Sequence, residues 1–596
     1  MSIAPMQRVV LCGMAHERDR VLSALQELGC LHLIPLKASQ PLEPETDPRR
    51  RRATAAYKHL TSAPVQRRPW PARRQIDIDA TVDAALANKE RLRVAGDRRD
   101  LLRERIDALA VFGDFELPPE PALRGRKLWF YILPVRERRA LDSLTVPWAV
   151  VGRDNTRLFL AVVSVDEPPA DLLPVARVHT GSRQLSHLRE DLQEVEIEIE
   201  VAEEEHAELT RSRLALGIRL ADAEDADARV AAQDVTLHDD RVFAVSGWAP
   251  ADRAEELRAM AEERGLALTL EPAGSGDEPP TLLENPERFA GAGALTSFYT
   301  TPPYGAWDPS LVVLVSFALF FAMILADAGY ALVLLAFVFL YRRRIGASVS
   351  GKRLLAVLWA VLGTAAGYGV LAGSYFGFAP PAGGVLAAVA FIDIEDFDTM
   401  MTVSIIIGVV HVSVANLEVA IRSRVPSERQ TRFAWVATAW GGLVFWLGAP
   451  TFGAVLLGCG LLTIFVSGAL GRPVTRPMDW LLRLMDGGLA LTRLSTLFGD
   501  VLSYMRLFAL GLASASLATT FNGLARDIAE GLPGVGLFLA ILVLILGHAI
   551  NLLLGIVSGV LHGLRLNFIE FFGWALSGEG YPFRAFARKE RPKWTD

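Results

Sequence analysis

The sequence has 596 residues, of which 51% are hydrophobic, and its formal net charge of −6 is too small for this length to indicate a partner. Its three cysteines, Cys12, Cys30 and Cys459, have no CxxC spacing, so the sequence predicts neither a disulfide framework nor a zinc site, and no cofactor. No apolar run of signal-peptide length begins the chain. The charged N-terminal half is therefore predicted to stay in the cytoplasm.

Hydropathy divides the chain near residue 290. Residues 1–290 are predicted to form a cytoplasmic arm, and residues 291–596 an all-α membrane domain. Within the arm, helices are predicted over 77–112 and 184–230. The second has apolar residues at alternating steps of three and four, including His206, which we interpret as a tolerated polar interruption. The pattern predicts a long antiparallel coiled coil that joins two α/β lobes, drawn from the segments 1–76, 113–180 and 231–272.

Two basic or glycine-rich segments could suggest other functions. Residues 41–73 include an arginine run at 49–52 that could touch acidic lipid or nucleic acid, but a solvated loop is the favoured interpretation, and no nucleic-acid partner is predicted. Residues 346–352, GASVSGK, fit the glycine-and-lysine pattern of a phosphate-binding loop. Arg353 stands where a magnesium-binding Ser or Thr is required, and the stretch joins two apolar segments. No nucleotide site is therefore predicted.

Seven apolar stretches follow residue 309, but charge favours eight spans. The first stretch, 311–341, is long for one crossing and is interrupted by Asp327. Splitting it there places every basic connector on the cytoplasmic side and the acidic connector 377–399 outside, as the positive-inside rule requires. The basic C-terminus also falls inside. The predicted spans are about 310–326, 328–342, 353–376, 400–421, 433–449, 452–470, 486–523 and 532–575, with the last two long and tilted.

Arg506 lies within one of these apolar spans. A guanidinium cannot be neutralised at ordinary pH, and a charge near the bilayer centre costs at least ~2.5–3.5 kcal/mol, so it faces protein or water and usually has a function. Small or short residues share its predicted helical face and would let another helix approach closely. This face contains Gly499, Ser503, Ala509 and Ala513.

Other ionisable or polar residues within the spans are candidate lining groups for an ion path. Asp327 is either a turn residue that caps the following helix or a functional carboxylate. His411 and Glu418 lie seven residues apart on one helical face, so they line a water path or form interhelical hydrogen bonds. The last span holds a further set, which is His548, His562, Arg565 and Glu570.

Several motifs in order resemble subunit I (subunit a in eukaryotes) of V-type and archaeal-type rotary ATPases. The resemblance covers nearly the whole chain, and family members have eight spans. The motifs are PPTLLEN at 279–285, FFAMILADAGY at 320–330, GVVH at 408–411, GDVLSYMRLFALGLA at 499–513, GHAIN at 547–551, HGLRLNFIE at 562–570 and GEGY at 578–581.

The resemblance implies that Arg506 is the essential arginine and Arg565 the second arginine of the family. It implies a ring of proteolipid subunits, each with one membrane carboxylate, as the partner of the membrane domain. Peripheral-stalk subunits would contact the arm, a central rotor would link the ring to the soluble ATPase sector, and the membrane would be a bacterial-type cytoplasmic membrane. Ser514 and Gly555 stand where eukaryotic members carry His and Glu, so the proton path of those members does not transfer directly.

The sequence therefore predicts the stationary half of a rotary ion motor, with Arg506 and Arg565 at the rotor interface. Two half-channels would draw on Ser503, Asp327, His411, Glu418, His548, His562 and Glu570. The alternative is a secondary transporter with a regulatory coiled-coil arm, which predicts an enclosed substrate cavity. A membrane-anchored coiled-coil scaffold is a further alternative, but it leaves the buried arginines and histidines without a purpose.

Overall fold

The computed structural model of the chain describes residues 2–36, 47–71, 74, 76–110, 112, 114, 125–166, 168–169, 172–178, 184–274, 276–286, 289–381, 383–394, 396–471 and 477–592. The chain divides into two compact units. The first comprises Met1–Leu36 and Thr236–Phe586, and the second comprises Lys37–Val235 and Ala587–Asp596.

The strands of the described residues, numbered in chain order, are β1 Ser2–Ile3, β2 Met6–Met14, β3 His32–Ile34, β4 Lys127–Pro134, β5 Trp148–Arg153, β6 Arg157–Ser164, β7 Arg177–Val178, β8 Leu237–His238, β9 Val242–Pro250, β10 Ala267–Pro272 and β11 Leu283–Glu284. The α-helices up to residue 300 are α1 Arg18–Leu28, α2 Pro48–Ser62, α3 Ile78–Ala110, α4 Leu185–Leu209, α5 Arg213–Val235, α6 Ala254–Glu263 and α7 Ala290–Ser297.

The helices of the apolar half follow in the same numbering. They are α8 Ser310–Leu325, α9 Ala328–Ile345, α10 Val349–Leu371, α11 Val385–Val389, α12 Phe397–Arg422, α13 Pro426–Trp446, α14 Pro450–Leu470, α15 Pro477–Ser503, α16 Met505–Gly531, α17 Gly536–Arg565 and α18 Phe572–Ala575. A π-helix, Leu566–Phe571, joins α17 to α18.

In the second unit, α3 and α4 pack along each other through buried apolar side chains that include Leu102, Leu109, Leu188 and Val195. Their polar contacts fix the direction. The Asn88 amide donates to the Ala202 carbonyl (2.8 Å), whereas residues later in α3 contact residues earlier in α4, so the helices run antiparallel. The same unit holds a four-stranded sheet in the order β5-β6-β4-β7.

Two features of the second unit differ from the sequence-based expectation. The arginine run lies in α2 and not in a loop, because the Asp47 side chain accepts the Arg49 backbone N–H and Pro48 occupies the first helical turn. The second long helix is not continuous, since a 3₁₀ turn, Thr210–Ser212, separates α4 from α5. His206 is buried and stacks on the His59 ring, with centroids 3.8 Å apart.

The first unit begins with an antiparallel sheet in the order β10-β2-β9-β3, with β8 beside β9. Strands from both ends of the arm sequence thus form one sheet. The segment after α18 runs along this sheet. The Phe586 N–H donates to the Leu31 carbonyl (2.7 Å), and the Arg584 N–H donates to His32 Nδ1 (2.9 Å). The C-terminal segment is therefore held to this sheet by hydrogen bonds from its backbone N–H groups.

We expect this attachment to weaken in acid. Burial, and then the charge of Arg584, lower the pKa of His32. Only the neutral ring has an Nδ1 lone pair that can accept the Arg584 N–H, so protonation removes this hydrogen bond. The stabilisation is full above the ordinary histidine pKa of about 6.5 and is lost as the pH falls through the lowered pKa. Hydrogen exchange of residues 580–586, measured from pH 7.5 to 5, should show that protection decreases as the pH is lowered.

The His32→Asn variant is the control, since its amide oxygen can accept the same hydrogen bond but does not titrate. Its protection should be independent of pH once the intrinsic exchange rate is divided out. If the wild type and this variant have the same pH profile, His32 does not control the attachment.

Among the described residues, five helical stretches are long and apolar enough to cross a membrane, and α8 is a shorter apolar helix. The five are Val349–Leu371, Phe397–Arg422, Pro450–Leu470, Met478–Gly531 and Gly536–Ala575. The predicted span 486–523 falls within Met478–Gly531, in which one residue, Tyr504, separates α15 from α16.

Candidate functional site

The break at Tyr504 places Arg506 in the first turn of α16. The Tyr504 side chain is fully buried, and its hydroxyl lies 2.7 Å from His411 Nδ1 on α12. Gly408, one turn earlier on α12, permits this approach, since a Cβ at that position would lie 2.8 Å from the Tyr504 ring. His411 is itself buried and stacks on Phe571, with centroids 4.3 Å apart. His411 thus contacts the residue that separates α15 from α16, two positions before Arg506.

The π-helix that follows α17 brings Glu570 to the same place. Its wider turn is anchored by Asn567, whose amide donates to the Gly563 carbonyl (3.0 Å) and whose Oδ1 accepts the Ser316 hydroxyl (2.5 Å). π-Helical turns often occur at functional sites. Here the turn directs Glu570 inward, so that its side chain is 2% exposed, while Arg565 at the end of α17 is 51% exposed.

Glu570 lies between the two arginines. Its Oε1 is 3.9 Å from Arg506 Nη1 and 3.8 Å from Arg565 Nε. These distances are ionic contacts and not hydrogen bonds. Among the described residues, Glu570 Oε2 and Arg506 Nη1 have no hydrogen-bond partner. The site therefore holds two cations around one buried carboxylate, with hydrogen-bonding capacity left over.

The Arg506 side chain is 24% exposed and borders a surface of small side chains. Gly499 at the end of α15 and Ala509 and Ala513 on α16 are all exposed, and a Cβ at Gly499 would meet nothing within 4 Å. The Ser503 hydroxyl donates to the Gly499 carbonyl (3.0 Å) and so projects little. A helix from another molecule could approach Arg506 closely across this surface.

A second cluster of polar side chains lies away from the arginines. Its members come after Arg506 on α16 and before Arg565 on α17. The Tyr330 hydroxyl is 2.7 Å from His548 Nδ1, and His548 Nε2 is 3.0 Å from Asn522 Oδ1. The Asn551 amide donates to the Tyr330 hydroxyl (3.1 Å) and to the Ser514 carbonyl (2.9 Å). At 1.5 Å per residue, Ser514 lies about 12 Å along α16 from Arg506.

Asp327 is linked to this network through Tyr330, whose hydroxyl belongs to the network and whose backbone N–H the Asp327 carboxylate accepts. Its carboxylate caps α9 by accepting the Tyr330 N–H (3.0 Å), and it also accepts the Ser374 hydroxyl (2.7 Å) and the backbone N–H groups of Phe376 (3.0 Å) and Gly377 (2.9 Å). Of the two interpretations offered by the sequence, the structure places Asp327 in the capping position. The same carboxylate also organises the loop after α10.

The sequence-predicted candidates thus fall into separate groups. Arg506, Arg565 and Glu570 are brought together, and His562 lies within electrostatic range of both arginines. His548 and Asp327 belong to the second network. Glu418 joins neither group, since its carboxylate pairs with Arg422 one turn later (3.2 Å). Although His411 and Glu418 share a helical face, they have different partners.

The sequence singled out Asn551 as a polar residue of the last span but missed most of the other uncharged members of both groups. Tyr504, Tyr330, Asn522 and Asn567 are buried and hydrogen-bonded. The available signal was an asparagine or tyrosine within an apolar run, where an unpaired polar group is costly and so implies a partner.

The chain is similar in sequence to several known proteins of one kind. The chain is 30% identical over 423 residues to V-type ATP synthase subunit I of Chlamydia trachomatis, covering 59% of this chain and 62% of that one. It is 27% identical over 394 residues to A-type ATP synthase subunit I of Methanocaldococcus jannaschii, covering 58% and 55%. The match to V-type ATP synthase subunit I 1 of Treponema pallidum is 26% identical and covers 98% of this chain and all of the relative.

The chain is thus similar to subunit I of V-type and A-type ATP synthases. Its matches to the chlamydial relatives span about three fifths of their length. No family model matches the chain. A crystal structure of the cytoplasmic N-terminal domain of subunit I, homolog of subunit a, of V-ATPase aligns with 44% of the chain at 16% identity, with a TM-score of 0.25 that is too low to equate the folds.

Proposed function

We propose that the chain is the stationary ion-conducting subunit in the membrane sector of a rotary ATPase. The observation that carries the proposal is the pair Arg506 and Glu570 beside an exposed surface of small residues. A carboxylate on a passing helix requires a fixed cation, and the cation must lie at a surface that lets that helix come close. That carboxylate would belong to a ring of small proteolipid subunits, as the resemblance implies.

In this proposal the two polar groups serve two half-channels that open on opposite sides of the membrane. Eight spans, with the basic connectors inside, place the Asp327 and His548 network in the outer half. Glu570, Ser503 and His562 would serve the inner half. The separation of the groups along α16 and α17 supports the assignment, because a continuous polar path would leak ions.

Arg506 would keep the two half-channels separate. An opposite charge within ~4–6 Å favours the ionised form of a carboxylate by roughly 10- to 1,000-fold, so a ring carboxylate releases its proton when it reaches the arginine. It then takes up another ion from the second half-channel and turns through lipid in neutral form. His411, through Tyr504, would position the arginine and not carry ions itself.

The remaining partners follow from the same proposal. The cytoplasmic arm would contact peripheral-stalk subunits and resist rotation, while the ring would connect through a central rotor to the soluble sector. ATP hydrolysis or synthesis would take place on other subunits. The N- and C-termini would both lie in the cytoplasm.

Purifying the tagged chain from its native membrane tests this assembly. We expect a small proteolipid with a membrane carboxylate and soluble ATPase subunits to copurify in fixed ratio. Recovery of the chain alone or as an isolated oligomer, under mild detergent conditions that preserve other membrane complexes, would favour a transporter or scaffold instead.

A further inference from the structure

A cavity lies between the paired helices α13 and α14, near the start of α13 and the end of α14. Over most of their length they pack closely because glycines remove side chains from the contact. At Gly441, for example, a Cβ would lie 2.5 Å from the Leu457 backbone nitrogen. Beyond Gly460, towards the start of α13 and the end of α14, a cavity of about 520 Å³ opens. Its lining includes Ser427, Gln430, Thr463, Val466, Ser467 and Leu470.

This cavity has a polar half and an apolar half. Ser427 and Gln430 lie in the first turns of α13, which the proposed topology puts at the membrane surface. On α14, Leu462, Val466 and Leu470 recur every four residues and are exposed, so they form an apolar side next to Thr463 and Ser467. A small soluble anion would leave the apolar side unused. A molecule with a polar head and a hydrocarbon chain would match both halves.

Two arginines stand at the polar end. Arg424 and Arg429 line an adjoining cavity of about 290 Å³ that shares Gln430 with the first. Both are exposed, and within the described residues neither forms an ion pair. The nearby acidic residue, Glu428, instead accepts the Ser423 hydroxyl (2.8 Å). The entrance therefore has a net positive charge.

We propose that this cavity binds an anionic phospholipid of the cytoplasmic leaflet. Arg424 and Arg429 contact the phosphate, Ser427 and Gln430 hydrogen-bond the headgroup, and one acyl chain lies against Val466 and Leu470. Basic pockets between membrane helices on the cytoplasmic side suit such headgroups, and each basic residue near the surface contributes about 1 kcal/mol. This proposal depends on the membrane topology proposed above, but it does not depend on any step of the rotary mechanism.

The test is a binding measurement on the purified full chain in phosphatidylcholine nanodiscs, titrated with fluorescent phosphatidylglycerol. We expect the Arg424→Gln/Arg429→Gln variant to bind about thirty-fold more weakly, which corresponds to the loss of two such contacts. Val466→Trp, which keeps both arginines but fills the apolar side, should also lose binding. Arg343→Gln/Arg344→Gln, which removes two exposed arginines from the last turn of α9, should bind as the wild type does.

Several results would overturn the proposal. Equal affinity for labelled phosphatidylcholine would remove the charge specificity. Binding by the Arg424→Gln/Arg429→Gln variant within twofold of the wild type would exclude the arginines. Displacement of the lipid by equimolar glycerol 3-phosphate would identify a site for a soluble anion and not for a lipid. Because the chain is measured without a ring, failure here would not bear on the rotary function.

Discussion

Replacing Glu570 with alanine is expected to destabilise the membrane domain and to impair ion transport. The carboxylate is almost fully buried and lies within 4 Å of both Arg506 and Arg565. Without it, two guanidinium groups face each other across the π-helical turn. Removing one partner of a buried ion pair costs about 3–5 kcal/mol, and we expect the lower end or less here because both arginines are partly exposed. Thermal unfolding in detergent should show a melting temperature several degrees lower.

Two further variants separate charge from packing. Glu570→Gln keeps the volume and hydrogen-bonding capacity, so it should recover much of the melting temperature but little of the ion transport. Glu530→Gln, at the exposed end of α16, should change neither. If Glu570→Ala unfolds and transports as the wild type does, the buried carboxylate has neither role.

Hydrophobic periodicity and charge predicted those structural features that are determined by the local sequence. The alternating steps of three and four in 185–209 arise from a seam that packs against α3, and this requirement is visible in the sequence itself. Charge at the connectors suggested that the first apolar stretch divides at Asp327, and the structure ends α8 at Leu325 and begins α9 at Ala328. The start of α2 was missed even though the signal is local, since Asp47 and Pro48 are a typical cap and first-turn pair.

Features that depend on contacts between distant residues were not predictable. No Pro marks the break at Tyr504, which follows from the burial of its ring against α12 and the contact with His411. The π-helix depends in the same way on Asn567 and Ser316, which are 251 residues apart. The candidate site is therefore only partly predictable. Apolar context singled out Arg506 and Arg565, but their common neighbour Glu570 is defined by tertiary packing.

The largest effect is expected for Arg506→Ala. The proposed separation of the two half-channels depends on the permanent positive charge of Arg506, which lies beside the small-residue surface of α16. Without that charge, a ring carboxylate is not driven to ionise, and the shift of roughly 10- to 1,000-fold in its protonation equilibrium is lost. ATP-driven ion uptake should fall to background even though the complex still assembles.

Arg526→Ala provides the matched control, because it removes an exposed arginine from the same helix about 30 Å along its axis from Arg506. It should pump ions at the wild-type rate.

The decisive measurement is ATP-driven ion uptake into vesicles reconstituted with complexes of equal subunit composition that carry either variant. The proposed mechanism predicts no uptake with Arg506→Ala and normal uptake with Arg526→Ala. Uptake by the Arg506→Ala complex within twofold of the wild type would contradict it.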